Sequence, residues 1–144
     1  MAKKIKALVK LTLKAGKATP QPPVGPALSK HGADPVKFCK DYNACTVDKI
    51  GMIIPVIVTV YEDKSHSFIL KSSPTAALLM QCANIKKGSA QPNRGSAGSV
   101  TLNQIKEIAL IKLGELNTKE LEKAMLIVQG TAKSIGLTIK PDYI

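Results

Sequence analysis

The 144-residue chain has 21 basic and 10 acidic residues, a formal net charge of +11, three Tyr, two Phe and no Trp. A hydrophobic content of 44% excludes wholesale disorder, and no apolar run approaches the roughly 20 residues that cross a bilayer. The charge points to a polyanion, nucleic acid first and an anionic membrane surface second; aromatics this scarce argue against base-stacking on single strands and for a folded or duplex surface.

From the N-terminus, Lys6 and Lys10 interrupt the run after the basic start, so no secretory leader is read. Ile5–Leu13 mostly alternates polar and apolar residues, the period of a half-buried strand. Thr19–Leu28 follows, with four prolines between Pro20 and Pro26. That segment is stiff and partly polyproline-II, so little entropy is lost when a partner docks on it; a plain structural connection is the alternative. Gly25 and Pro26 open a short helix. Asp34 as N-cap and Pro35 at the first helical position start the next helix, with Val36, Cys39 and Tyr42 on its apolar face. Strands at Ile53–Tyr61 and Ser67–Leu70 flank a polar hairpin loop, Glu62–Ser65.

The second half reads as helical. Ser73 is expected to cap a helix with Pro74 at its first position, running through Ala76, Ala77, Leu79, Met80 and Ala83. A glycine- and serine-rich loop covers Lys86–Ser99. Thr101 and Gln104 form a capping box for a second helix striped by Ile105, Ile108, Ala109, Leu113 and Leu116. Asn117 with Glu120 is expected to open a third helix that ends at Ile135 before Gly136, and Leu137–Ile139 forms a short closing strand. Residues 1–71 hold 12 basic and 5 acidic residues, net +7, and residues 72–144 hold 9 and 5, net +4. Charge alone therefore does not separate a binding half from a non-binding one.

The third helix carries the strongest signal. Leu121, Ala124, Met125, Val128, Ala132 and Ile135 recur at helical spacing and face the core. Lys123, Ile127, Gly130 and Ser134 fall on the opposite side, with Thr131 on the flank. Glycine inside a helix costs about 1 kcal/mol relative to alanine, which is understandable if something large approaches the backbone there. An RNA minor groove is wide and shallow and displays 2′-hydroxyls; a face of Gly, Thr and Ser can lie flat in it and donate small hydrogen bonds. Fraying near a helix end is the bland alternative. In the loop, Lys86, Lys87 and Arg94 can neutralise phosphates while Gly88, Gly95 and Gly98 let the backbone fold against RNA; a solvated linker is the alternative.

Catalytic patterns are missing: no phosphate-binding glycine loop, no dinucleotide fingerprint and no nucleophile elbow, so an enzyme is not expected. Cys39, Cys45 and Cys82 are odd in number and form no C-x-x-C, which disfavours a disulfide framework and fits small buried or idle thiols. His31 and His66 lie in unrelated segments, so no metal site or cofactor is called for.

The order of these features resembles a known family. The matching stretches are Met1–Lys4, Ala15–Ala18, Pro22–Leu28, Phe38–Lys40 with Asn43-Ala44, Ile54–Val56, Thr59–Tyr61, Pro74, Gly88-Ser89, Pro92-Asn93 and Gly130–Gly136. They resemble the family of the ribosomal protein at the base of the large-subunit stalk, the eleventh protein of the bacterial large subunit, over nearly the whole chain. The resemblance implies an α+β protein: a small N-terminal α/β domain at 1–70 (three-stranded sheet with helices), a linker at 71–74 and a C-terminal three-helix, homeodomain-like RNA-binding domain at 75–144. It implies binding to the GTPase-associated region of large-subunit rRNA through Pro74, Lys87, Gly88, Ser89, Pro92, Asn93, Arg94, Gly130, Thr131, Ser134 and Gly136. Pro22, Pro23 and Pro26 would border a cleft facing translation factors and thiopeptide antibiotics. Implied partners are neighbouring stalk proteins, translational GTPases, release factors and the stringent-response synthetase, with no membrane partner. Ala2, Lys3 and Lys40 are the implied methylation positions, and the implied location is the ribosome of a bacterial cytoplasm or a plastid stroma. Three stretches depart from the pattern: Gly32–Pro35, where a Gly-Val-Asn-Ile-like run is usual; the uncharged Gly95–Ser99, where lysines are common; and the tail Lys140–Ile144. A free helix-turn-helix-like DNA-binding regulator is the alternative, but a major-groove reader wants Arg, Asn or Gln on the exposed helix face.

Overall fold

A computed structural model describes residues 2–142; Tyr143 and Ile144 of the divergent tail lie outside the described residues, as does Met1. The chain divides into two compact units, Met1–Ser73 and Pro74–Ile144.

The first unit runs β1 (Ile5–Lys14), α1 (Val24–Ser29), α2 (Pro35–Cys45), a 3-10 turn at Val47–Lys49, β2 (Ile53–Tyr61) and β3 (His66–Leu70). Its strands form a three-stranded antiparallel sheet in the order β1-β2-β3. The strictly alternating β2 buries Ile54, Val56, Val58 and Val60, and these pack with Val24 and Leu28 of α1 and Phe38, Cys39 and Tyr42 of α2. Helix α2 starts where its cap dictates: the Asp34 carboxylate accepts from Val36 N at 2.9 Å. Of the expected apolar face, Cys39 and Tyr42 are buried and Val36 is not. Phe38, Cys39 and Tyr42 span about 100° of the helix, and Val36 lies about 60° outside that arc and is 47% exposed. The Phe38 ring takes the third buried position, against Tyr42, His66 and Phe68.

Tyr42 ties the helix to the sheet. Its hydroxyl lies 3.2 Å from the Leu13 carbonyl oxygen and 3.0 Å from that of Ile54, two residues paired across β1 and β2. Burial raises the phenol's pKa, keeping it a proton donor. Tyr42→Phe is expected to lower stability by about 1 to 2 kcal/mol, read as a lower urea midpoint with an unchanged slope. Further along α2, Asn43 clamps the Ala18 backbone, accepting from its N–H at 2.9 Å and donating to its carbonyl at 3.0 Å. Thr46, fully buried, accepts from Gly16 N at 2.9 Å. Both bonds fix the chain where it leaves β1 for the proline segment.

The second unit runs α3 (Thr75–Cys82), β4 (Gly98–Thr101), α4 (Leu102–Lys112), α5 (Leu121–Ile135) and β5 (Leu137–Lys140). Its core is Leu78 and Leu79 of α3, Val100, Ile105, Ile108 and Ala109 of β4 and α4, and Ala124, Val128, Ala132 and Leu137 of α5 and β5. The capping box at Thr101 and Gln104 forms in both directions. Two other expected caps do not. Pro74 itself is the N-cap of α3, with extended backbone, and Ser73 is buried before it. At α5 the N-cap is Glu120, whose N–H donates to Thr118 Oγ1 at 3.2 Å, rather than Asn117. Helix α4 ends at Lys112, so Leu113 and Leu116 are half-buried beyond it.

Strands β4 and β5 pair in parallel, Gly98 with Leu137 through Thr101 with Lys140. This ladder was not foreseen, because Gly98 and Ser99 read as loop and Thr101 only as a helix cap; parallel pairing needs a long crossover, supplied here by α4 and α5. Beyond it, Asp142 accepts from Asn103 N at 2.8 Å, at the N-terminus of α4. Burial raises the pKa of both Cys39 and Cys82, the latter also through the charge of Glu107; Cys45 is exposed. Among the described residues no helix is long and apolar enough to cross a membrane, and no three His, Cys, Asp or Glu cluster as for a metal ion.

Candidate nucleic-acid interface

The second unit joins the two segments that the sequence singled out separately. Gly136 ends α5 in the left-handed conformation, φ 91°. Around that turn, Ser89 N donates to the Ile135 carbonyl at 2.8 Å, and Ala97 N donates to the Gly136 carbonyl at 2.9 Å. The loop is thereby stitched at both ends to the C-terminus of α5. Within it, the Gln91 carbonyl accepts from Arg94 N and Gly95 N at 3.0 and 2.9 Å, and Ser89 Oγ accepts from Gln91 N at 3.1 Å. Gln91, Pro92, Asn93 and Arg94 line a depression of about 310 Å³. Gln91 was missed: its part is set by its backbone carbonyl, which no side-chain pattern reveals.

The glycines separate by cause. A Cβ on Gly88 would stand 2.8 Å from Ile135 Cγ2 and 3.0 Å from its carbonyl oxygen, and one on Gly136 would stand 2.5 Å from Ser89 Cβ. Both are therefore glycine because the loop and the helix end press together. Gly136 is buried and supports the surface from beneath. Gly130 differs. It is exposed, and a Cβ there would meet nothing within 4 Å. No internal packing accounts for it.

On the same face, Ser134 is exposed and Thr131 half-buried. Their hydroxyls are already donating to their own helix, Thr131 to the Ile127 carbonyl at 3.3 Å and Ser134 to the Thr131 carbonyl at 2.8 Å. Both therefore present acceptor lone pairs outward instead of the protons first expected. A 2′-hydroxyl can supply the missing proton. Lys87, Pro92, Asn93 and Arg94 are exposed, and Ser89 is half-buried. Pro74 enters the unit half-buried at the start of α3, where its carbonyl accepts from Leu78 N. Ser96 Oγ and Thr138 Oγ1 lie 2.9 Å apart where the loop meets β5. The described part of this unit contains no aromatic residue, so it offers no base-stacking surface.

In the first unit, Pro22, Pro23 and Pro26 are exposed while Val24, Gly25 and Leu28 beneath them are buried. Gly25 packs so closely on the Pro20 carbonyl that a Cβ has no room. Pro26 is thus held outward on a short helix anchored from below, with Pro22 and Pro23 exposed just before its start. Ala2 and Lys40 are exposed. Lys3 is engaged, its Nζ 2.8 Å from Asp63 and 3.1 Å from Ser65 Oγ; the Lys3 bond first, then those that the Ser65 hydroxyl and N–H donate to the same carboxylate, hold the Asp63 carboxyl far below the usual carboxylate range.

Residues 9–66 match the family model described as ribosomal protein L11, N-terminal domain, and residues 71–139 match that of ribosomal protein L11, RNA binding domain.

Proposed function

Because the chain belongs to the ribosomal protein L11 family, we propose that it binds the GTPase-associated region of large-subunit rRNA at the stalk base and supports the translation factors that act there. Ribosomal identity, rRNA binding and the large subunit come with the family; the stalk-base address and the residues are our reading. One observation carries it: the open Gly130, flanked by the short hydroxyl side chains of Thr131 and Ser134, on a helix face otherwise free to be covered. Such a face suits close backbone approach to a shallow groove, whereas a reader of base edges in a major groove needs longer polar side chains.

In this reading Gly130, Thr131 and Ser134 lie against the minor groove. Lys87, Gly88, Ser89, Pro92, Asn93 and Arg94 follow the neighbouring backbone, Gly136 holds that loop in place, and Pro74 borders the surface. The three helices take a homeodomain-like arrangement, with 71–74 as the linker. Pro22, Pro23 and Pro26 face translational GTPases, release factors, the stringent-response synthetase and thiopeptides; neighbouring stalk proteins complete the partners. Ala2, Lys3 and Lys40 are the methylation positions, in a bacterial or plastid ribosome. Methylation keeps the lysine charge but removes donors that Lys3 uses toward Asp63 and Ser65.

Filter binding to a folded stalk-base RNA against duplex DNA of equal length tests the reading; preference for the DNA would overturn it. A salt titration supplies a second expected outcome. Gly95–Ser99 carries no charge, so the affinity should fall less steeply with salt than for a relative with lysines there, by about one unit of log–log slope per phosphate contact. Equal slopes would remove the loop from the phosphate-contacting surface.

A further inference from the structure

The sheet of the first unit is covered on one side only. Its inner residues pack against α1 and α2. On the outer side, register places Leu8 opposite Thr59, Lys10 opposite Ile57, and Ile57 opposite Ile69. Leu8 is 60% exposed and Ile69 61%. Lys10 and Lys14 point outward with Leu8 in the alternation of β1. Lys71 continues that of β3, its N–H bonded to the Pro55 carbonyl at 3.0 Å. None of β1, β2 or β3 carries a carboxylate. All five acidic residues of this unit lie elsewhere: Asp34, Asp41 and Asp48 on the α2 side, and Glu62 and Asp63 in the hairpin. The outer face therefore has an apolar centre, Leu8, Ile57 and Ile69, flanked by Lys10, Lys14 and Lys71; toward the hairpin it carries Tyr61, whose ring lies 5.8 Å from Lys3 Nζ, and Lys3 is paired there with Asp63.

We propose that this sheet face docks an acidic protein segment that carries an apolar stripe. An apolar centre within a polar rim is the layout of protein interfaces, and the charge selects the sign of the partner. Nucleic acid fits less well. Phosphates would gain from the lysines, but the centre is aliphatic, and Tyr61, the aromatic ring on this side of β2, already has Lys3 Nζ 5.8 Å from its ring and its hydroxyl bonded to Ser67. A second copy meeting face to face would set lysine against lysine. The site is distinct from the proline segment and from the α5 face, so it stands whether or not those make the contacts proposed above.

The test places a photoreactive benzoylphenylalanine at position 8 or 69 of the full chain in actively translating ribosomes, and identifies the cross-linked segment by mass spectrometry. The expected product is a protein segment with net negative charge and apolar residues at the attachment point. Its yield should drop about tenfold in the double variant Lys10→Glu, Lys71→Glu, since like-charge contacts at an interface are strongly unfavourable, and should also drop as salt is raised. Both lysines are exposed, so the variant is expected to fold, with circular dichroism as the check; the salt series on the unreversed chain gives the same reading independently. Cross-links to rRNA, to a second copy or to a basic segment would overturn the proposal. So would no product at all, or a yield indifferent to both charge and salt.

Discussion

Gly130→Ala is expected to stabilise the free protein and weaken its RNA complex. The first effect follows from helix propensity: with open space at the new methyl group, the gain is about 0.5 to 1 kcal/mol, seen as a higher urea midpoint. The second follows from the proposed groove contact. A methyl group forced into a close-packed surface costs about 1 to 3 kcal/mol, or roughly a 5- to 150-fold loss of affinity at about 1.4 kcal/mol per decade. Opposite signs from one substitution separate this account from fraying, which predicts added stability and unchanged binding. Gly130→Leu should enlarge the binding loss without unfolding the chain. If a folded Gly130→Leu protein binds stalk-base RNA as tightly as its parent, the groove-fitting argument is wrong.

Gly136→Ala should do the reverse and damage the fold first. The residue sits at φ 91°, and a Cβ would stand 2.5 Å from Ser89 Cβ and 3.2 Å from Pro92 Cα. Backbone strain together with that overlap is expected to cost about 2 to 4 kcal/mol. The loss should appear in the unfolding of the second unit, and hydrogen exchange at Ser89 and Ala97, whose N–H groups bond to Ile135 and Gly136, should accelerate before global unfolding. Gly136→Asn isolates the two causes. Asparagine tolerates the left-handed region better than alanine, so partial recovery would assign the cost to φ, and no recovery would assign it to the collision with the loop. A protein as stable as its parent would mean that the loop is not anchored there.

Much of the fold was legible because its signals are local. Alternation placed β1, an apolar run beside a polar hairpin loop placed β2, Asp34-Pro35 started α2, Thr101 and Gln104 capped α4, and Gly136 ended α5. Where several residues compete for one role, local rules chose wrongly. Val36 was put on the buried face because its spacing to Cys39 is helical, but the Phe38 ring fills the core. Asn117 looked like a cap, yet α5 begins later. The candidate site divides in the same way. That Gly130 is anomalous could be read from a helix propensity scale, and that Gly136 ends a helix from its position; that Gly88 and Gly136 are pressed against Ile135 and Ser89 could not.

The sequence by itself determined the period of each element, the net positive charge, the scarcity of aromatics and the family resemblance, because each depends on residues near one another in the chain or on composition. Tertiary structure alone decided which glycine is open and which is pressed against a neighbour, that the 86–97 loop is stitched to the end of α5, and that β4 pairs with β5. It also decided that the hydroxyls of Thr131 and Ser134 turn back to their own helix, and that the outer sheet face gathers its lysines around an uncovered apolar centre. These are distances between residues far apart in sequence, or choices among hydrogen-bond partners, and they exist only once the chain has packed.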